Sequence, residues 1–169
     1  SANLSIIPNT WQFTEISEQA GFNYSHGYAP TPPDVYQNRD LQISAAGVAA
    51  GDYDNDGWID LYVTRGTIGP NLLYKNLGNG SFAEVGANAG VAIQESNNTG
   101  AVFADYDGDG WLDLFVGGAN DTQPTLFHNS GDGSFEDVTA SSGLTEMLIS
   151  FGGSYADIDK DGDLDLWIN

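Results

Sequence analysis

Aspartate recurs in this chain at a spacing that suits the binding of a cation. Asp52, Asp54 and Asp56 alternate, Gly57 follows at once, and Asp60 closes the stretch. The same D-x-D-x-D-G-x-x-D order returns as Asp105, Asp107, Asp109, Gly110 and Asp113. It comes a third time as Asp157, Asp159, Asp161, Gly162 and Asp165. Alternate carboxylates on a tight loop can point at one centre, and a shell made of oxygen alone suits Ca²⁺. Glycine in sixth place permits a sharp turn that a Cβ would resist. Three copies therefore predict three Ca²⁺ sites.

Two rival readings share these residues. An EF-hand needs a bidentate Glu at its twelfth position and a helix on either side. The twelfth positions here are Val63, Val116 and Ile168, inside apolar runs that read as strands. The other rival is a set of Asp-Gly turns without metal. Carboxylates gathered within a few ångströms repel one another by about 4 kcal/mol per close pair at an effective dielectric near 20. Three repeats of so unfavourable a cluster call for a cation.

The elements that hold these loops repeat with them. Asp52, Asp105 and Asp157 lie 53 and 52 residues apart, and Gly47, Gly100 and Gly152 each stand five residues earlier. After each loop comes a short apolar run: Leu61-Tyr62-Val63, Leu114-Phe115-Val116 or Leu166-Trp167-Ile168. Runs that are apolar on both faces read as inner strands covered by neighbouring sheets. Leu72-Leu73-Tyr74 and Leu126-Phe127-His128 follow, leading to Gly78-Asn79-Gly80-Ser81 and Gly131-Asp132-Gly133-Ser134. Asn-Gly and Asp-Gly supply the positive φ angles of tight hairpins, so Phe82–Val85 and Phe135–Val138 read as last strands. Four antiparallel strands per period of about 50 residues is the signature of a β-propeller blade.

The expected organisation is all-β, a partial or open propeller within one segment, 1–169. Residues 44–90 and 97–143 form blades and 148–169 a half blade. Phe13 to Gly21 matches Phe82 to Gly90, so 11–21 is expected to hold the outer strand of an incomplete blade. Residues 22–43, with Pro30, Pro32 and Pro33, read as a loop insertion. No stretch shows convincing helical periodicity.

Composition narrows the partners. The net charge is −20, against only four Lys and Arg, which disfavours nucleic acid and anionic membrane surfaces. Twelve of the 24 acidic residues are the loop aspartates, so the charge is local rather than a disordered tail. There is no cysteine, which excludes disulfides and thiolate sites, and no apolar run of about 20 residues. N-x-S/T sequons at Asn3, Asn23, Asn79, Asn97 and Asn120 are compatible with a secreted glycoprotein.

Gly47-Val48-Ala49-Ala50-Gly51-Asp52-Tyr53-Asp54 and Phe151-Gly152-Gly153-Ser154-Tyr155-Ala156-Asp157 resemble the FG-GAP/VCBS repeats, known best from integrin α-subunit propellers. The opening FTEISEQAGFNYSH resembles the bacterial secreted branch found with ASPIC-type domains. The resemblance runs from Trp11 onward and implies calcium in a hairpin loop at a blade edge. It implies as ligands the four aspartates of each loop plus the backbone carbonyls of Trp58, Trp111 and Asp163. Such propellers usually have about seven blades, whereas two full blades and parts of two others are read here.

Within that frame the glycines at 47, 100 and 152 read as sites of close backbone approach near the axis. Tyr62, Phe115 and Trp167 share one repeat position and read as core between blades. Trp58 and Trp111 either cover the ion or pack as rim and core. His128 matches Lys75 and reads as a solvent-facing strand residue, while His26 reads as a loop histidine. The sequence shows no G-x-S-x-G, P-loop, H-E-x-x-H or dinucleotide fingerprint.

Three functions fit these features. The first is a non-catalytic, extracellular or cell-surface module that binds or adheres to a protein or glycan through its loops at 22–43, 66–70 and 117–124. The second is a structural subunit that joins other copies of itself head to tail into a filament or ring. The third, and weakest, is a fragment of a calcium-dependent polysaccharide lyase or lipase.

Overall fold

The computed structural model describes residues 14–24, 47–94, 96–119, 122–144 and 150–169. Two four-stranded antiparallel sheets and one two-stranded sheet follow one another along the chain. The first sheet holds β1 (Val48–Gly51), β2 (Asp60–Val63), β3 (Leu72–Asn76) and β4 (Phe82–Glu84), paired in chain order. The second holds β5 (Asn98–Ala104), β6 (Asp113–Gly118), β7 (Thr125–Asn129) and β8 (Phe135–Asp137) in the same order. β9 (Gly153–Ala156) and β10 (Asp165–Ile168) make the third. These are the blades of a partial propeller.

The register shows how strand pairing frames each aspartate loop. Gly51 pairs with Asp60, Ala104 with Asp113, and Ala156 with Asp165. The ninth loop residue is thus the first of the inner strand, facing the residue before the first aspartate. The loop itself is the connection of an antiparallel hairpin.

Blades are joined by packing and by buried polar bonds. Tyr62 and Leu73 of the first sheet share a core with Leu114, Val116 and Phe127 of the second. Phe115, on the other face of the second sheet, meets the third, where a Cβ on Gly153 would lie 3.0 Å from its ring. Tyr62 and Phe115 are both fully buried. Each such ring contributes about 1.5–3 kcal/mol through burial. Trp167 departs from the expected core role: it is 65% exposed. Among the described residues no further sheet covers β10, and burial at this position depends on a neighbour.

The first strands of successive sheets approach so closely that side chains are excluded between them. A Cβ on Gly47 would sit 2.8 Å from the Gly100 Cα, and one on Gly100 would sit 2.8 Å from the Phe151 carbonyl oxygen. Hydroxyls bridge the same seam. Thr64 Oγ1 donates to the Thr99 carbonyl at 2.8 Å, and Thr99 Oγ1 donates to the Ser150 carbonyl at 2.6 Å. Asn71 donates to Tyr62 OH and to Asn98 Oδ1, while Asn98 donates to the Gly117 carbonyl. All of these groups are buried, and satisfied polar networks of this kind fix one packing over its competitors.

The amino-terminal segment corrects one expectation. Thr14–Ile16 form no strand, and Ser17–Ala20 make a single helical turn, α1, ended by Gly21 in the left-handed region. Gly86–Ala89, here α2, and a 3₁₀ turn at Thr139–Ser141 occupy the matching places after β4 and β8. One turn is too short to leave a periodic trace, which is why these helices escaped notice. The match between repeats extends to packing. A Cβ on Gly21 would meet the Phe82 carbonyl at 2.9 Å, and one on Gly90 would meet the Phe135 carbonyl at 3.1 Å. Phe22 then packs edge-to-face against Tyr74 and at a tilt against Phe82. Residues 11–13, most of the 22–43 insertion and His26 lie outside the described residues.

Candidate metal centres

Each loop is shaped by two left-handed residues and a ring of Asx-type hydrogen bonds. The sixth positions, Gly57, Gly110 and Gly162, have φ of 89°, 93° and 101°. The fourth positions are left-handed too: Asn55 at 56°, Gly108 at 75° and Lys160 at 64°. Asn and Gly take this conformation readily, whereas a lysine needs the loop to hold it. The first aspartate gathers the turn. Asp52 accepts the N–H of Asp56 at 3.0 Å and of Gly57 at 2.8 Å, and Asp105 accepts those of Asp109 and Gly110 at 3.0 Å each. Asp157 accepts the Gly162 N–H at 3.2 Å. The aspartate at the fifth position accepts the N–H of the seventh residue: Trp58 to Asp56, Trp111 to Asp109, Asp163 to Asp161.

The aspartate at the ninth position ties loop to sheet. Asp60 accepts the Tyr53 N–H at 3.2 Å and the Asn76 N–H at 2.7 Å, and is fully buried. Asp113 does the same with Tyr106 at 3.1 Å and Asn129 at 2.8 Å. Asp165 accepts the Ile158 N–H at 2.9 Å but stays exposed, consistent with its uncovered sheet. Burial pushes the Asp60 carboxyl up to about 6, against the pull of its two backbone donors. Burial raises Asp113 as well.

The predicted carboxylates converge, though not all of them equally. Oxygens of Asp52, Asp54 and Asp60 lie within 4.8 Å of one another, as do those of Asp157, Asp159 and Asp165. In the middle loop the group is Asp105, Asp107 and Asp109. Asp54 Oδ1 is buried and has no hydrogen-bond partner. An orphaned carboxylate oxygen beside further oxygens is the donor set that Ca²⁺ takes, so the residues fit that ion. Trp58 and Trp111 both pack beside the loops' own hairpins. Each indole sits on its own blade's hairpin, where a Cβ on Gly78 or Gly131 would be 2.7 or 2.8 Å from Nε1.

Two residues that sequence reasoning left facing solvent reach into the loops. Lys75 contacts Asp54 and lies 2.9 Å from Asp56 Oδ2. Its hydrogen bonds to these two carboxylates hold the ammonium above the ordinary lysine range, and the same donation lowers Asp56. His128, at the same place in β7, has Nδ1 3.2 Å from Asp107 and 3.3 Å from Asp113. The Asn that follows each was also missed. Asn129 donates its amide to the Tyr53 carbonyl at 2.8 Å, so one blade's third strand supports its neighbour's loop. Asn55 in turn donates to the Gly110 carbonyl at 3.0 Å, linking the first two loops directly. The signal was present, since Asn76 and Asn129 are identical at matching repeat positions.

Comparison with known proteins accords with this geometry. A model of the FG-GAP-like repeat matches the chain twice, over residues 52–116 and 105–168. The chain belongs to the FG-GAP-like repeat family. This FG-GAP-like chain is also similar to cartilage acidic protein 1 of Mus musculus, 29% identical over 125 residues. The same protein of Homo sapiens is 27% identical over 129 residues, and that of Xenopus tropicalis 26% over 130. Each match covers 73% of this chain and 19% of the relative, so the chain spans about a fifth of the relatives' length. No described helix is long and apolar enough to cross a membrane.

Proposed function

We propose that this chain is a calcium-stabilised, non-catalytic propeller segment of an extracellular or cell-surface protein, used to bind or adhere to a protein or glycan. The observation that carries the reading is the convergence of loop carboxylates beside the orphaned oxygen of Asp54. The ligands in each loop are the aspartates at its first, third, fifth and ninth positions and the carbonyl of Trp58, Trp111 or Asp163. A bound divalent cation supplies the positive charge that offsets these clustered carboxylates. Relatives named for cartilage, a tissue built largely of extracellular matrix, support the location and a protein or glycan partner. Lys75 and His128 are turned into the loops, which favours support over acid–base chemistry. Loops on a rigid scaffold are the natural contact surface, here 66–70 and 117–124.

Thermal unfolding tests the core of this reading. Millimolar Ca²⁺ is expected to raise the melting temperature over EDTA, with about 2.7 kcal/mol per site at 100-fold saturation. Identical melts in the two conditions would refute it.

A second reading has its own support. Among the described residues β10 pairs with β9 alone, and Trp167 and Ile158 are exposed. Head-to-tail joining of copies through that edge would give a ring or filament. Sedimentation over a hundredfold concentration range is expected to show growth if copies join. A constant monomer mass would exclude it.

A further inference from the structure

The third strands treat the loops they face differently. Lys75 brings an ammonium to the first loop, and it hydrogen-bonds Asp54 there. An ammonium has only protons to give. At the matching place in the second blade His128 brings an imidazole, which can offer a lone pair instead. Its Nδ1 is buried and makes no hydrogen bond, although it stands 3.2 Å from Asp107 Oδ2 and 3.3 Å from Asp113 Oδ1. The nitrogen is thus nearly equidistant from an oxygen of each carboxylate. Donor atoms of Asp107, Asp113 and His128 all lie within 4.8 Å of one another.

These separations have a simple meaning in coordination geometry. Two donors on one tetrahedral ion with bonds of about 2.0–2.2 Å stand roughly 3.2–3.6 Å apart. Imidazole with carboxylates suits Zn²⁺ and its borderline neighbours, whereas Ca²⁺ takes oxygen. Asp113 is positioned in advance by the N–H groups of Tyr106 and Asn129, which orient its carboxylate as outer partners of a ligand do.

We propose that Asp107, Asp113 and His128 form a mixed nitrogen–oxygen site for a transition-series divalent ion of the Zn²⁺ class, confined to the second loop. The proposal rests on the cation-binding reading of that loop, whose Asp107 and Asp113 it shares, and differs in the ion. Ca²⁺ and the Zn²⁺-class ion compete there for Asp107 and Asp113. The first and third loops, with Lys75 or no third-strand residue described, remain oxygen sites.

Titration of the full chain with Zn²⁺, and with Co²⁺ as a spectroscopic probe, tests the proposal. One Co²⁺ equivalent is expected to give a visible absorption band and paramagnetic shifts on a histidine ring. His128→Lys, which copies the side chain of the first blade, and His128→Gln are both expected to lose the band and at least tenfold in Zn²⁺ affinity. His26→Gln is expected to keep both. Equal Zn²⁺ affinity in the wild type and the two His128 variants would overturn the site, leaving His128 an ion-pair partner only. Loss of binding in His26→Gln would overturn it too. The Ca²⁺-dependent melt is scored separately, so absence of a calcium effect sinks the general reading without touching this result, and the reverse also holds.

Discussion

Asn76 and Asn129 hold the same repeat position and do unequal work. Both offer the backbone N–H that fixes the aspartate at the ninth position, and both accept the N–H of the hairpin glycine through Oδ1. Asn129 is buried, and its amide bonds two carbonyls, Tyr53 at 2.8 Å and Leu112 at 3.0 Å. The Asn76 amide donates to the Ile59 carbonyl at 3.0 Å, near solvent. Leaving a buried acceptor unsatisfied costs about 1–3 kcal/mol, while an exposed one turns to water. Asn129→Ala is therefore expected to lose about 2–3 kcal/mol in urea unfolding, and Asn76→Ala less than about 1. Equal losses would show that Asn129 does not brace the neighbouring blade. Nothing in the local sequence distinguishes the two residues, because the difference lies in which blade stands alongside.

At the scale of the element, the strands were legible because each repeat spells them twice over, in apolar runs and in Asn-Gly or Asp-Gly turns. The single-turn helices were not, since four residues carry no period. The reach of Lys75 and His128 was also hidden. Alternation along a strand assigns a face, but does not say how far a long side chain leans past the edge toward a loop. Trp167 was placed in a core by analogy with Tyr62 and Phe115, an analogy that holds only where another sheet follows. The same dependence predicts a gradient of local stability. β6 is buried along its whole length between two sheets, whereas β10 is half exposed. Native-state hydrogen exchange is expected to protect the β6 amides at Leu114–Val116 most strongly and those of β9 and β10 least. Uniform protection across the three sheets would mean that the blades open as one unit.

Over the whole molecule the net charge is −20, and twelve of the 24 acidic residues lie in the three aspartate loops. Self-repulsion of that size destabilises a compact state, and salt screens it over about 10 Å at 0.1 M and 3 Å at 1 M. With divalent cations chelated, raising KCl through this range is expected to raise the melting temperature, and saturating Ca²⁺ to flatten that dependence. A melt indifferent to KCl under chelation would show that the carboxylates are not under mutual strain. The seam between blades has a different consequence, one for recombination. Thr64 gives its hydroxyl to the second blade's backbone, and Thr99 gives its own to the carbonyl of Ser150 ahead of the third. Each hook is coded in one repeat and its eye in the next, with Gly100 clearing the space between. The interchangeable unit is thus out of phase with the sheet. A blade moved between relatives should be cut inside its inner strands, so that hook, eye and glycine travel together.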